Sequence, residues 1–438
     1  MKIAEFFAQN AFSPEIDTDA LLTEFDRQMD AGLAGEASSL AMIPAYVDAD
    51  QSVSTDTPIN VLDAGGTNLR VATVRFDKAG KAQIEGLKKC AMPGTDVTSL
   101  SADEFFDRIA AVLEPVVGNA QDVGFCFSYP TEITPALDGR LIRWTKQVDA
   151  PGVVGKMVGS GVAAAVKRRV GRKPAIRVLN DTVATLLAGK SVGISRRYAS
   201  YVGFILGTGT NIAYIERNAR IGKAKRLDRD RTMVINIESG NFNGGPASAF
   251  DEAVDAATSD PGIGRFEKMI SGRYLGDLGL VILQRAAEAG FFSKRAAADL
   301  AALTVLTTKD FDDFVANPFT KGGAFDAVRF TDKDRRALLA ICEPVFIRAA
   351  RLTAANIAAA VIRCGEGFDP LHPVCITIDG STYYRTRTGF FKSRIEQGLR
   401  EILGARGIHF ETTCVEDAPV VGAAVAGLIM QNKAKGTR

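Results

Sequence analysis

Histidine is nearly missing. The 438-residue chain holds two, His372 and His409, and neither lies in a recognisable motif. A Ser-His-Asp or Cys-His relay would have to be built on one of them, and no G-x-S-x-G elbow is present. Acid–base work in this chain therefore falls to carboxylates. Cysteine is sparse too: Cys90, Cys126, Cys342, Cys364, Cys375 and Cys414 form no C-x-x-C pair. The loose grouping Cys364, His372, Cys375 lacks the four closely spaced ligands of a structural zinc site. Isolated cysteines in a long chain with no evident secretory leader predict a reduced, cytoplasmic protein. No charge of one sign prevails, with 53 Lys and Arg against 51 Asp and Glu, so neither nucleic acid nor an anionic membrane is favoured as a partner. The basic cluster at Lys167–Lys173 reads as a helix end whose cations complement the dipole. The second, Arg217–Arg231, reads as a solvated hairpin, and neither carries the interleaved aromatics on which bases stack. The apolar stretch Ala418–Met430 is too short and too rich in small residues to span a bilayer.

What is present points to two domains, since 438 residues exceed what one core usually serves. Leu21, Leu22, Phe25 and Met29 are spaced for an amphipathic helix within residues 14–36. The segment Arg177–Leu186 reads as an apolar strand ending on Asn180 and Asp181, followed at once by a helix. A carboxylate at such a handover sits at the mouth of a crevice, where open α/β sheets bind ligands. Asp181 is thus a candidate general base. By the residues alone, Asn180, Asp181 or Thr182 could equally be a helix N-cap and no more.

A second signal is the unit Ile59–Asp63, Ala64-Gly65-Gly66-Thr67-Asn68, Leu69–Phe76, a strand, a glycine turn and a strand. Such a turn lets backbone N–H groups approach an anion, Thr67 adds a hydroxyl, and Asp63 is placed to hold a hydrated magnesium ion. Gly-Gly is also an ordinary hairpin turn. The unit recurs as Tyr201–Leu206, Gly207-Thr208-Gly209-Thr210-Asn211 and Ile212–Ile215, with Gly66-Thr67-Asn68 and Gly209-Thr210-Asn211 as the shared tripeptide. This predicts duplicated α/β halves gripping one phosphate chain from opposite sides. The loosened Walker pattern Ala184–Ser191 is set aside, because its middle residues are helix formers with no glycine to shape a loop, and Gly189 reads as a helix end. Ser128, Thr145 and Lys146 stand at the ends of apolar runs, and groups of these types hydrogen-bond hydroxyls or phosphate.

Together these segments resemble the hexokinase family. Asp63–Arg70 and Gly207–Asn211 look like its two phosphate motifs, Phe125–Pro130 with Trp144-Thr145-Lys146 like its sugar-binding segments, and Leu179–Val183 like its catalytic one. Met233–Glu238 and Asp260–Gly272 are similar to its further sugar-contacting regions, and Ile378–Ser381 to its adenosine motif. The motifs run in family order from about residue 41 onward, while residues 290–335 match poorly.

The resemblance implies an α/β, two-domain, actin-like (ribonuclease H-like) ATPase fold with a cleft between the domains. The smaller domain would be 58–182 plus 418–438, the larger 1–57 plus 183–417. It implies phosphorylation of a hexose (glucose, mannose or fructose) at its 6-hydroxyl by ATP with Mg2+, the first step of glycolysis. Asp181 and Lys146 would be catalytic. Ser128, Thr145, Lys146, Asn180, Asp181, Asn211, Glu238 and Glu267 would bind the sugar. Asp63, Gly65, Gly66, Thr67, Asn68, Arg70, Gly207, Thr208 and Gly209 would hold phosphates, with Arg273, Asp379, Gly380 and Ser381 on the nucleotide side and Asp63 and Asp181 toward the metal. Ser239 stands where the family usually has tryptophan, and the loop Ile263–Phe266 lacks its usual glutamine, so the preferred hexose stays open, an amino sugar included. The chain holds one catalytic unit. A non-catalytic sugar or nucleotide sensor on the same fold, or another actin-like ATPase, would be separated by sugar-dependent ATP consumption.

Overall fold

The strand, glycine turn, strand unit forms twice, and both copies seed a sheet of the same plan. In the computed structural model, which describes residues 2–95, 99–144 and 148–436, an edge strand β1 (Ile43–Asp48) precedes the first copy. Strands β2 (Ile59–Ala64) and β3 (Asn68–Phe76) pair antiparallel around Gly65-Gly66-Thr67, and β4 (Ala82–Ala91) adds to β3. Strand β5 (Asp122–Phe127) runs parallel to β2, a short hairpin of β6 (Thr131–Ile133) and β7 (Gly139–Leu141) follows, and β8 (Ala175–Leu179) lies parallel to β5. The five-stranded order is β4-β3-β2-β5-β8.

The second copy repeats this. Strands β9 (Ser200–Leu206) and β10 (Thr210–Arg217) pair antiparallel, β11 (Thr232–Asn236) adds to β10, β12 (Val374–Asp379) runs parallel to β9, and β13 (Phe410–Thr413) parallel to β12. With β1 on its edge, the six-stranded order is β1-β11-β10-β9-β12-β13. The interior strands β2 and β12 are buried along nearly their whole length, as strands covered on both faces must be.

Two helices lie between the sheets, Asp181–Val192 and the C-terminal Ala418–Gly436. Leu186, Leu187, Val421 and Val425 share an apolar cluster with Val61 and Val74 of one sheet and Ala213 and Val234 of the other. Their approach leaves no room for side chains at two glycines. A Cβ on Gly422 would lie 1.8 Å from the Ala184 carbonyl oxygen, and one on Gly124 would lie 1.9 Å from that of Ala423. This two-lobed α/β arrangement, with paired helices at its centre, is the one the resemblance implied.

The helix Asp332–Cys364 is long and apolar enough to cross a membrane by length and composition, yet Leu338, Ile341, Leu352 and Val361 pack it into the core of the larger lobe. Thr331 and Asp334 form a capping box at its start, and Gly365 ends it at φ 69°. Midway, buried Arg348 grips Asp251 through two bonds of 2.7 and 2.6 Å and lies 4.3 Å from the Phe12 ring, tying the N-terminal segment to the lobe. Residues 290–335, poor in family motifs, form the capped helices Lys294–Ala302 and Thr308–Ala316.

Overpacking a filled interface costs ~1–3 kcal/mol. Gly422→Ala should therefore lower the unfolding free energy from urea titration by that order, whereas Gly404→Ala, at a site with nothing within 4 Å of the added Cβ, should leave it unchanged or raise it.

Candidate active site

Burial of Val178 and Leu179 carries β8 into the interior and delivers Asn180 and Asp181 to its end. Asn180 is the N-cap, its side chain accepting from the Thr182 N–H at 2.8 Å. Asp181 is therefore the first helical residue, with its charge at the positive end of the helix dipole. Asp181 accepts from the N–H and the hydroxyl of Thr182, and both address Oδ1.

Three further carboxylates are linked to Asp181 by electrostatics, Asp63 and Glu238 directly and Glu267 through Glu238. Glu238 sits at φ 59°, ψ 47°, before the single turn Ser239–Asn241, and its Oε1 accepts from Asn236 at 2.7 Å and Asn211 at 3.2 Å. Burial is the main force pushing its pKa up. The two amides and Arg143 oppose that shift, and the charge of Asp181 adds to it. Glu267 accepts from the Thr210 N–H at 2.9 Å; burial raises its pKa, that backbone bond opposes, and Glu238 adds to the rise. A Cβ at 209 would lie 2.5 Å from the Glu267 Oε2, so any side chain there would displace that carboxylate. Asp63, buried at the end of β2, is also raised chiefly by burial, against Arg70 and with a contribution from Asp181. Residues scattered over 200 positions of sequence thus feel one another's charge.

The two turns flank these groups. In the first, Gly65 N–H donates to Asn68 O at 2.9 Å, Tyr129 OH holds Gly65 O at 2.8 Å, and Asn68 donates to the Thr67 hydroxyl at 2.8 Å. Gly66 lies in that turn and Thr67 is exposed. In the second, Gly207 O accepts from Gly272 N–H and the Thr382 hydroxyl, both at 2.8 Å, and Thr208 O accepts from Arg273 N–H at 3.1 Å. Gly380, at φ 114°, lies so close to Leu206 that a Cβ would come within 2.3 Å, and Asp379 receives its N–H at 2.7 Å. Gly207, Thr208, Gly209, Arg273, Asp379, Gly380 and Ser381 therefore converge. Ser128 N–H bonds Ala64 O at 3.1 Å, placing that residue beside the first turn.

A cavity of about 310 Å³ opens between the lobes, with Asn180, Asn236, Glu238, Asn241 and Arg143 as its polar lining and Ile43, Ala45, Ile133, Ile142 and Val183 among its apolar walls. Thr145 and Lys146 lie outside the described residues. Arg70, expected among the phosphate ligands, is engaged by two carboxylates, Asp63 and Asp417, each at 2.6 Å. Sequence reasoning missed Asn236, Arg143, Asn241 and Tyr129. A clue to Asn236 was available: it is an amide closing an otherwise apolar strand, two residues before Glu238.

Family models described as hexokinase match residues 3–191 and 201–429. The chain belongs to the hexokinase family. It is 32% identical to hexokinase-1 of Nicotiana tabacum over 97% of this chain and 90% of that one. It is 30% identical to hexokinase-1 of Schizosaccharomyces pombe over 96% and 87%. The solved structure of a Schistosoma mansoni hexokinase complexed with glucose superposes with a TM-score of 0.77 at 26% identity, covering 97% of this chain and 98% of that one. A ROK hexokinase from Thermus thermophilus, at a TM-score of 0.52 and 16% identity, shares the fold.

Because the folded-state pKa of Glu238 lies above its ordinary value, the folded protein binds this proton more readily than the unfolded chain. The charged form therefore costs stability above the folded pKa, and that cost is absent below the unfolded one. Glu238→Gln should raise the urea midpoint at about pH 7.5, and the gain should shrink toward about pH 4.

Proposed function

We propose that Asp181 is the general base in ATP-dependent phosphorylation of a hexose, accepting the proton of the sugar 6-hydroxyl as that oxygen attacks the γ-phosphorus. The observation that carries this reading is the position of Asp181: at a helix N-terminus, beside an amide- and carboxylate-lined cavity, between two glycine turns. Asn180, Asn211, Glu238 and Glu267, with Ser128, Thr145 and Lys146, would hold the sugar hydroxyls. Carboxylates and amides can each pair with two neighbouring hydroxyls, and a site built on such bonds rejects analogues that lack one. The glucose bound in the Schistosoma relative supports a hexose of the glucose type as acceptor.

The glycine turns at 65–67 and 207–209 would cradle the triphosphate through backbone N–H groups, and Asp379–Ser381 with Arg273 would lie toward the nucleoside. Phosphoryl transfer has a loose transition state, so in-line positioning and neutralisation of the γ-phosphate matter most. Magnesium fits the donors available: Asp63 and Asp181 are hard oxygen ligands in mutual electrostatic reach. Among the described residues no cluster of three or more His, Cys, Asp or Glu could cage an ion, as suits a cation that keeps waters and phosphate oxygens. When bound, it neutralises charge on the phosphates. We further read residues 58–182 with 418–438 as a lobe that closes on the sugar and excludes water. The product, a hexose 6-phosphate, would enter glycolysis in the cytoplasm, a compartment consistent with six free thiols.

General-base assistance is typically worth ~10²–10⁴ in rate. Asp181→Ala should lower kcat by that factor while the sugar KM moves only a few-fold. The assay is ADP release with Mg2+ and ATP across glucose, mannose, fructose, glucosamine and no sugar. Full turnover in the variant would place the base elsewhere, and release that ignores the sugar would remove the kinase reading.

A further inference from the structure

The main chain at Glu238 is held in an unusual way. A glutamate at φ 59°, ψ 47° occupies the left-handed region, which residues with a Cβ adopt at a cost and keep only where the surroundings enforce it. The enforcement comes from the next residue. Ser239 is fully buried; its N–H donates to Asn211 Oδ1 at 3.3 Å, and its hydroxyl accepts from Asn356 Nδ2 at 3.2 Å. Asn211 is doubly used, since its Nδ2 reaches the Glu238 carboxylate while its Oδ1 takes the Ser239 N–H.

Asn356 belongs to helix 332–364, more than a hundred residues away, and is 1% exposed. That helix packs on the short helix Arg265–Ile270, which carries Glu267 and itself packs on the Ser239–Asn241 turn. Among the described residues the Oδ1 of Asn356 is a buried acceptor with no partner. A polar side chain inside an apolar helix, with one end unsatisfied, lowers stability. An apolar residue of similar volume would serve packing alone better. The hydrogen bond from its other end, to Ser239, is the one thing such a residue could not supply.

We propose that Asn356 is a positioning residue for Glu238, acting through Ser239: it pins the main chain so that the carboxylate stays aimed into the cleft. Without that anchor the chain at 238 relaxes toward ordinary backbone angles and the carboxylate swings off the sugar. The proposal rests on Glu238 being a sugar ligand, so the experiment tests both.

The variants are Asn356→Leu, the double variant Ser239→Ala with Asn356→Leu, and Glu238→Ala. Each is assayed for glucose KM, MgATP KM, kcat and Tm. The double variant removes the whole polar pair, which is neutral or stabilising when both partners become apolar. Its Tm should match or exceed that of the parent, while its glucose KM rises about tenfold, the equivalent of one hydrogen bond, and its MgATP KM stays within about twofold. Asn356→Leu alone should show the same split between the two KM values but with a lower Tm, because it leaves the buried Ser239 hydroxyl unpaired. A double variant with unchanged Tm and unchanged glucose KM overturns the proposal. So does a loss in which Tm, both KM values and kcat worsen together, as a merely structural role would give. If Glu238→Ala leaves glucose KM unmoved, the sugar-ligand reading fails and the proposal falls with it. If Glu238→Ala raises glucose KM and the other variants do not, only the positioning role is lost.

Discussion

Four carboxylates, Asp63, Asp181, Glu238 and Glu267, are linked by mutual repulsion, and the cost of holding them together shapes what surrounds them. Burial and mutual repulsion raise the pKa values of Asp63, Glu238 and Glu267. The compensation is made largely with neutral groups: the amides of Asn211 and Asn236 on Glu238, the Thr210 N–H on Glu267, and the Thr182 N–H on Asp181. Cations in those places would neutralise more charge but would also occupy the oxygens that a polyhydroxylated ligand must reach. Neutral donors leave lone pairs open and keep the charge available. Among the described residues the one guanidinium bonded directly to the set is Arg70, and it addresses Asp63, which the proposal assigns to phosphate and metal rather than to the sugar.

That choice demands accurate placement, because neutral hydrogen bonds fail quickly with distance and angle. The molecule supplies it by putting Asp63 and Asn236 at the ends of buried strands and Asp181 and Glu267 in the first turns of helices. Glycines appear where backbones must touch. Gly209 lies against Glu267, Gly380 against Leu206, and Gly422 against the helix that begins at Asp181. Loops carry the contacts, but β2, β5, β8, β9 and β12 fix where those loops start.

How much of this could be read beforehand depended on how local each signal was. The glycine turns and the strand ending at Asp181 announce themselves within a dozen residues, and β2, β3, β8, β9 and β10 formed within a residue or two of the expected bounds. Glu238 and Glu267 carry no local mark; only the family resemblance picked them out. Asn236 hid inside a strand pattern. The bond from Asn356 to Ser239 joins segments 117 positions apart, and periodicity sees a helical asparagine only as an interruption. Arg70 was legible as a charged residue beside a phosphate motif. Its second partner, Asp417, comes from a lobe-spanning contact 347 positions away. The α/β architecture was readable because it is written twice, while the capped helices of 290–335 belong to neither copy.

The duplication also bears on why one aspartate remains open for chemistry. Strand β8 runs into helix 181–192 and strand β13 into helix 418–436, so Asp181 and Asp417 occupy corresponding corners of the two halves. Aligning the shared tripeptides sets Arg70 of β3 against Ala213 of β10. In one half the arginine closes on Asp417 and makes that corner a latch. In the other, alanine stands where the guanidinium would be, and among the described residues no ion pair engages Asp181. A pseudo-symmetric pair has thus been divided between a fastening and the carboxylate proposed as the base, and the difference traces to the residue two places beyond each Gly-Thr-Asn.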